Sequence, residues 1–311
     1  MKLSMASSSL SAYLENGCDR TAAFKALRDC GFPCVDYEIT ADMLGDSLAG
    51  CAEETKRMLE TLGLTAPQGH APMYSPLNPP EGIDCADVYT RTLRFCRIAG
   101  IPQVVIHPGA VADNTREEFF SKNVAFYKSL IPAAEETGVG VLIENIGNYA
   151  DPYYLWTGAD LREMVDRVDH PLFTACWDVC HANHFWPEDG NQYDSIVALG
   201  DKLTALHVHE NCGYFTEPRK HYRIDMHTVP YSSVHSPLNF DAVLQGLKDI
   251  GYKGTFNFET LFPAKKSTSF SYRGEEVKTL QMLPLNLWQQ FNTAVYAMGE
   301  YMLRTYGLFE E

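Results

Sequence analysis

Eight short stretches rich in β-branched, aromatic and small apolar residues recur along the sequence, each followed by a polar loop and, between most of them, an amphipathic segment. They fall at 2–7, 34–39, 64–70, 103–109, 140–146, 172–179, 203–210 and 254–260. The segments between them include DRTAAFKALRDCG, ADVYTRTLRFCRIAG, TREEFFSKNVAFYKSLIPAAEETG and FDAVLQGLKDIG. In each, apolar residues return at i, i+3 and i+4 and the run stops at glycine, the pattern of a helix with a glycine terminator. Strands alternating with helices imply a parallel sheet covered by helices, and eight such units are what a closed (β/α)₈ barrel of the TIM type requires. An open, doubly wound sheet is the main rival, but no GxGxxG follows the first stretch. No Pro/Ser/Gly block or charge run divides the chain, so one α/β barrel domain over 1–311 is expected. A long final helix at about 284–307 should pack an aromatic-rich face on the barrel, or present it to another copy.

The ends of these stretches carry the chemistry. The second ends at Glu38, the third at His70, the fourth at His107, the fifth at Glu144, the sixth at Asp178, the seventh at His209 and the eighth at Glu259. In a barrel, strand C-termini share one rim, and that rim is where active sites form. A divalent cation needs oxygen or imidazole donors converging from different directions, which a ring of strand ends supplies. Glu144, Asp178, His209 and Glu259 would give three carboxylates and one imidazole. Such an oxygen-rich set suits Mn²⁺ or Mg²⁺, with Zn²⁺ and Co²⁺ as further candidates. His207 lies two residues before His209 on the same strand face and reads as a residue that orients a ligand.

In this order, VVIHPG, VLIENIG, WDVCHAN, ALHVHEN, DMHTVP and GYKGTFNFE resemble the xylose-isomerase-like barrel superfamily. The resemblance is to its sugar phosphate isomerase/epimerase group, which includes ketose 3-epimerases and inosose-converting enzymes. It implies one catalytic metal held by Glu144, Asp178, His209 and Glu259. It also implies proton abstraction beside a carbonyl through a metal-stabilised enediolate, with Glu144 and Glu259 acting on opposite faces of the sugar. His181 matches a residue that touches substrate oxygen or a second metal. His107, His70, Glu38, Trp177 and Arg219 are candidate substrate contacts, although Trp177 could equally belong to the core. His207, Asp225 and His227 are candidates for an additional metal or for orienting ligands. The same residues would serve a dehydratase or lyase acting on a keto-sugar or inosose. Relatives are often dimers or tetramers, so a homo-oligomer is a family expectation.

A more distant resemblance offers a rival activity. His70, His107, Glu144, Asp178, His181, His209, Asp225, His227 and Glu259 match, in order, the nine zinc ligands of endonuclease IV, a trinuclear phosphodiesterase. Charge weighs against it: 40 acidic and 25 basic residues give a formal net charge of −15. Duplex binding rests on neutralising phosphates, so no nucleic-acid partner is expected, and a small carbohydrate is the expected one. Nine cysteines without a CxxC pair suit buried thiols in a reducing compartment. With no signal-peptide pattern and no apolar run of ~18 residues, a cytoplasmic protein without membrane association is expected.

Overall fold

The computed structural model describes residues 1–146, 154–183, 191–211, 214–217, 220–223, 227–232, 236, 238–261 and 265–311. Eight parallel strands form one sheet: β1 (Leu3–Ala6), β2 (Cys34–Glu38), β3 (Thr65–His70), β4 (Gln103–Ile106), β5 (Gly140–Glu144), β6 (Phe173–Asp178), β7 (Leu203–His207) and β8 (Phe256–Phe258). Each strand pairs with the next in sequence, and β1 also pairs with β8, from Leu3 opposite Phe256 to Met5 opposite Phe258. The ring is completed just past β7. The Val208 amide donates to the Asn257 carbonyl (2.8 Å), and the Glu259 amide donates to the Val208 carbonyl (3.0 Å). The expected (β/α)₈ barrel is the fold.

Eight principal helices surround the barrel: α1 (Arg20–Asp29), α2 (Leu48–Leu62), α3 (Cys85–Ala99), α4 (Arg116–Ser129), α5 (Gly158–Val168), α6 (Asn191–Leu199), α7 (Phe240–Asp249) and α8 (Leu285–Thr305). Their boundaries follow side-chain chemistry. Asp19, Asp84 and Asn239 accept backbone N–H bonds at N-termini, while Thr115–Glu118 and Thr157–Asp160 form reciprocal capping boxes. Gly63 and Gly100 close α2 and α3 in the left-handed conformation. The segment 115–138, read from sequence as one helix, is two: α4 and a second helix, Ile131–Thr137. Pro132 has no N–H and its ring would clash with the carbonyl four residues back, so the helix restarts there.

Strand alternation separates two apolar regions. Phe173, Ala175 and Trp177 of β6 point outward into the layer beneath the helices, while Cys176 joins Val105, Leu142 and Ala205 in a small cluster inside the barrel. α8 packs back over the barrel seam, where Gly299 lies against Phe258 and Leu3 and the Trp288 indole donates to the Ser9 carbonyl (3.0 Å). Two antiparallel hairpins, Tyr214–Glu217 with Lys220–Arg223 and Lys265–Tyr272 with Glu275–Met282, project from the connections after β7 and β8. The second turns at Arg273 and Gly274, both at positive φ, as a tight two-residue hairpin turn requires. Among the described residues, no helix is long and apolar enough to cross a membrane.

Candidate active site

The strand C-termini bring Glu144, Asp178 and Glu259 together, as the sequence reading expected. The imidazole among them is different. The ligand atoms of Glu144, Asp178, His207 and Glu259 all lie within 4.8 Å of one another. Register explains this: Asp178 pairs with His207 across β6 and β7, and β7 ends at His207 rather than continuing to 210. His207 is therefore the last inward residue of the strand, one layer above Ala205. His209 sits beyond the strand end, with its Nε2 2.9 Å from Asp178 Oδ2 and its ring stacked 4.0 Å from that of His227. His207, read from sequence as orienting a ligand, thus stands within the carboxylate group, while His209, read as a ligand, stands beside Asp178 with His181 and His227.

His207 is fully buried between carboxylates. Its Nε2 donates to Asp36 Oδ2 (3.0 Å), and its Nδ1 lies 3.0 Å from Glu144 Oε1 and 3.1 Å from Glu259 Oε2. Asp36, which the sequence reading overlooked, is held inside the barrel by Gln68 (2.8 Å) and Asn257 (3.1 Å), whose amides donate to the same Oδ2. An ionised Asp36 can only accept, so it fixes the proton on His207 Nε2. Nδ1 is then turned with its lone pair toward two carboxylates. Three negative groups and a lone pair at these distances call for positive charge among them, either a proton or a metal ion.

Two further groups flank this one. His70 Nε2 and His107 Nε2 lie 3.0 Å apart, and both face Glu144 Oε2, at 3.8 and 2.9 Å. On the other side, His181, His209 and His227 bring ring nitrogens together. Asn145 clamps β5 to β6: its amide donates to the Asp178 carbonyl (2.8 Å) and its oxygen accepts from the Asp178 amide (2.7 Å). Asp178 Oδ1 in turn accepts from the backbone N–H groups of Cys180 and His181, both at 2.7 Å, which leaves Oδ2 facing the imidazoles. Both Asp36 and Asn145 could have been suspected from sequence, since each is a polar residue inside an apolar strand or at its end.

Among the described residues, every ion pair of Glu144, Asp178 and Glu259 is to an imidazole. Burial raises the Glu144 carboxyl, but His207 and His107 outweigh it and hold the group well below the usual carboxylate range. The same contest, decided by His207 and His227, keeps Glu259 ionised, and His181 and His209 do so for Asp178. Burial lowers His70, yet its hydrogen bond to Glu144 and that group's charge push it up to about 9. Burial lowers His107. The donor set fits a divalent cation on two counts. Among the described residues, carboxylates and imidazoles converge without Lys or Arg to neutralise them, and His209 Nδ1 is buried with no hydrogen-bond partner.

Other expected contacts fall differently. Glu38 stands at the rim, with Oε2 accepting from Ser11 (2.9 Å). Trp177 does not reach the mouth. It alternates with Asp178, faces outward, is fully buried and donates its indole N–H to Gln192 (3.2 Å). Arg219 and Asp225 lie outside the described residues.

A family model described as a xylose isomerase-like TIM barrel matches residues 24–273. The chain belongs to that family. Among solved structures, this xylose isomerase-like barrel is similar to the IOLI protein with a binding zinc atom, at 16% identity and a TM-score of 0.71 over all of both chains. It is also similar to D-psicose 3-epimerase from Clostridium cellulolyticum H10 with D-tagatose, at 19% identity and a TM-score of 0.69, covering 97% of this chain and 99% of that one. An uncharacterized protein of Methanocaldococcus jannaschii is 28% identical over 162 residues, 50% of each chain. The chain therefore spans about half the length of the curated relative it matches.

Proposed function

We propose that this barrel is a divalent-cation-dependent isomerase or epimerase acting on a sugar. The observation that carries the reading is the convergence of Glu144 and Glu259, from two different strand ends, on one nitrogen, at 3.0 and 3.1 Å from His207 Nδ1. Two ionised carboxylates approaching one point from strands β5 and β8 can remove a proton from one side of a carbon and return it from another. The sugar-epimerase neighbour and the zinc-bound neighbour support the same reading.

Glu144, Asp178, Glu259 and His207 Nδ1 would hold the cation, and Mn²⁺ or Mg²⁺ suits three carboxylates with one imidazole. When bound, the cation polarises a carbonyl and its neighbouring hydroxyl, which makes the adjoining C–H more acidic. The rest falls to the chain. Glu259, partly accessible at the mouth, would take the proton beside the carbonyl, and Glu144, ionised at rest, would pass to the other side a proton it receives from His70 through His107. His107 and His70 hold Glu144 in place and pass protons along the 3.0 Å contact between their rings. Asp36 keeps His207 in a single tautomer. Glu259→Gln tests this. The variant should fold and weaken cation binding while losing exchange of the substrate's α-proton with deuterium from D₂O. Undiminished exchange would remove Glu259 from the mechanism.

A second reading has one observation in its favour. Beside the group around His207, the clusters His70, His107, Glu144 and His181, His209, His227 offer donors for further cations, as a trinuclear phosphodiesterase would need. The net charge of −15 opposes it. Elemental analysis separates the two: one metal per chain favours sugar chemistry and three favour phosphodiester hydrolysis.

A further inference from the structure

Beside the cation site lies a larger cavity that the reaction as described does not use. It measures about 350 Å³ and opens between the segments that follow β1 and β2, within the range of ligand pockets, ~300–1,000 Å³. Glu38 is the wall between the two spaces, because it also borders a small cleft of about 40 Å³ lined by Asp36, His70 and Glu259. Glu38 is held firmly, with its amide donating to Ser7 Oγ (2.7 Å) and Oε2 accepting from Ser11 Oγ (2.9 Å). Its other oxygen, Oε1, has no hydrogen-bond partner among the described residues.

Across the cavity stands Arg20, half-buried. It donates once, from Nη1 to the Tyr37 hydroxyl (3.2 Å), and has no ion pair among the described residues. The floor is apolar, formed by Phe24 and Tyr37 with ring centroids 5.6 Å apart. A guanidinium with spare N–H groups, a carboxylate with a spare oxygen and an apolar floor together match a sugar ring. Adjacent hydroxyl oxygens accept from the guanidinium, and their O–H groups donate to the carboxylate. A phosphate could pair with Arg20 but would also meet Glu15, Glu38 and Asp42, three acidic side chains to one basic.

We propose that this cavity is a subsite for a second sugar unit, so that the substrate is a glycosylated ketose rather than a sugar phosphate. The proposal rests on the sugar-converting reading above, with the reacting ketose at the cation site and its glycosyl substituent passing Glu38.

Titration of the Mn²⁺-loaded full chain with D-fructose, maltulose, isomaltulose and fructose 6-phosphate, followed by ligand-observed NMR, tests it. One of the two glucosyl-fructoses should bind about tenfold tighter than fructose, the gain of one or two well-formed hydrogen bonds. Arg20→Ala should remove that gain while leaving fructose affinity and the melting temperature unchanged, and Glu38→Gln should reduce it. Equal binding of fructose and both disaccharides overturns the subsite and leaves the sugar-converting function standing. Tightest binding of fructose 6-phosphate, lost in Arg20→Ala, overturns it in favour of an anion pocket. If no sugar binds or exchanges its α-proton, both the function and the subsite fall.

Discussion

Asp36→Asn isolates the device that aims His207. The wild-type carboxylate is 2% exposed, and its Oδ2 accepts from His207, Gln68 and Asn257 at 2.8–3.1 Å. Its Oδ1 is buried with no partner. Asparagine has nearly the same shape, so packing changes little, and its amide N–H₂ takes the place of an oxygen that bonded to nothing. Two things are lost: a charge-assisted hydrogen bond, worth roughly 1.5–3 kcal/mol, and control of the tautomer. Turned over, the amide would instead place its N–H₂ toward Nε2, against the Gln68 and Asn257 donors, and donate to it, which moves the imidazole proton to Nδ1 and turns an N–H toward the cation. Partners that orient a metal-binding histidine are worth about 10–100-fold in affinity, or about 1.4–2.8 kcal/mol. Isothermal titration with Mn²⁺ should show that loss in Asp36→Asn, while far-UV circular dichroism stays unchanged. Manganese affinity within twofold of wild type would refute the role given to Asp36 and, with it, the orientation of His207.

Two predictions probe the scaffold. Gly299→Ala would place a Cβ 2.6 Å from Phe258 Cε2 and 2.9 Å from Leu3 Cδ2. Overpacking of roughly 1–3 kcal/mol should outweigh the helix-propensity gain of about 1 kcal/mol, so its melting temperature should fall; a rise would show that the seam under α8 is loosely packed. Burial pushes the Cys30 thiol up to about 11 and the Cys176 thiol up to about 12, so both stay protonated at pH 8. Iodoacetamide at that pH should label the partly accessible Cys18 and Cys51 in the native protein and spare Cys30 and Cys176, as peptide mass spectrometry would read. Early labelling of Cys176 would contradict a closed barrel interior.

The barrel was legible because its strands are continuous apolar runs and its helices carry their own caps. Thr115 with Glu118 and the terminal Gly63 and Gly100 state in local chemistry where helices begin and end. The convergence of Glu144, Asp178 and Glu259 was legible for a related reason, since a carboxylate closing an apolar strand has only the rim to go to. What remained hidden depended on register. His207 and His209 share a face, and only the pairing of Asp178 with His207 and the end of β7 decide which stands among all three carboxylates and which meets Asp178 alone. Trp177 stayed open between pocket and core for the same kind of reason, as one residue along a strand exchanges mouth for mantle. Asp36 was passed over because it lies two residues before a more conspicuous strand-end acid, Glu38. The break at Pro132 was visible in sequence and was outweighed by a periodicity that ran through it.

A crystal of the full chain soaked in MnCl₂, with data collected to reveal manganese anomalous scattering, tests the central claim directly. The account requires an anomalous peak bounded by Glu144, Asp178, Glu259 and His207 Nδ1, with Asp36 still bonded to Nε2. A mouth without any peak, or a peak held by His209 with His207 turned away, would contradict it.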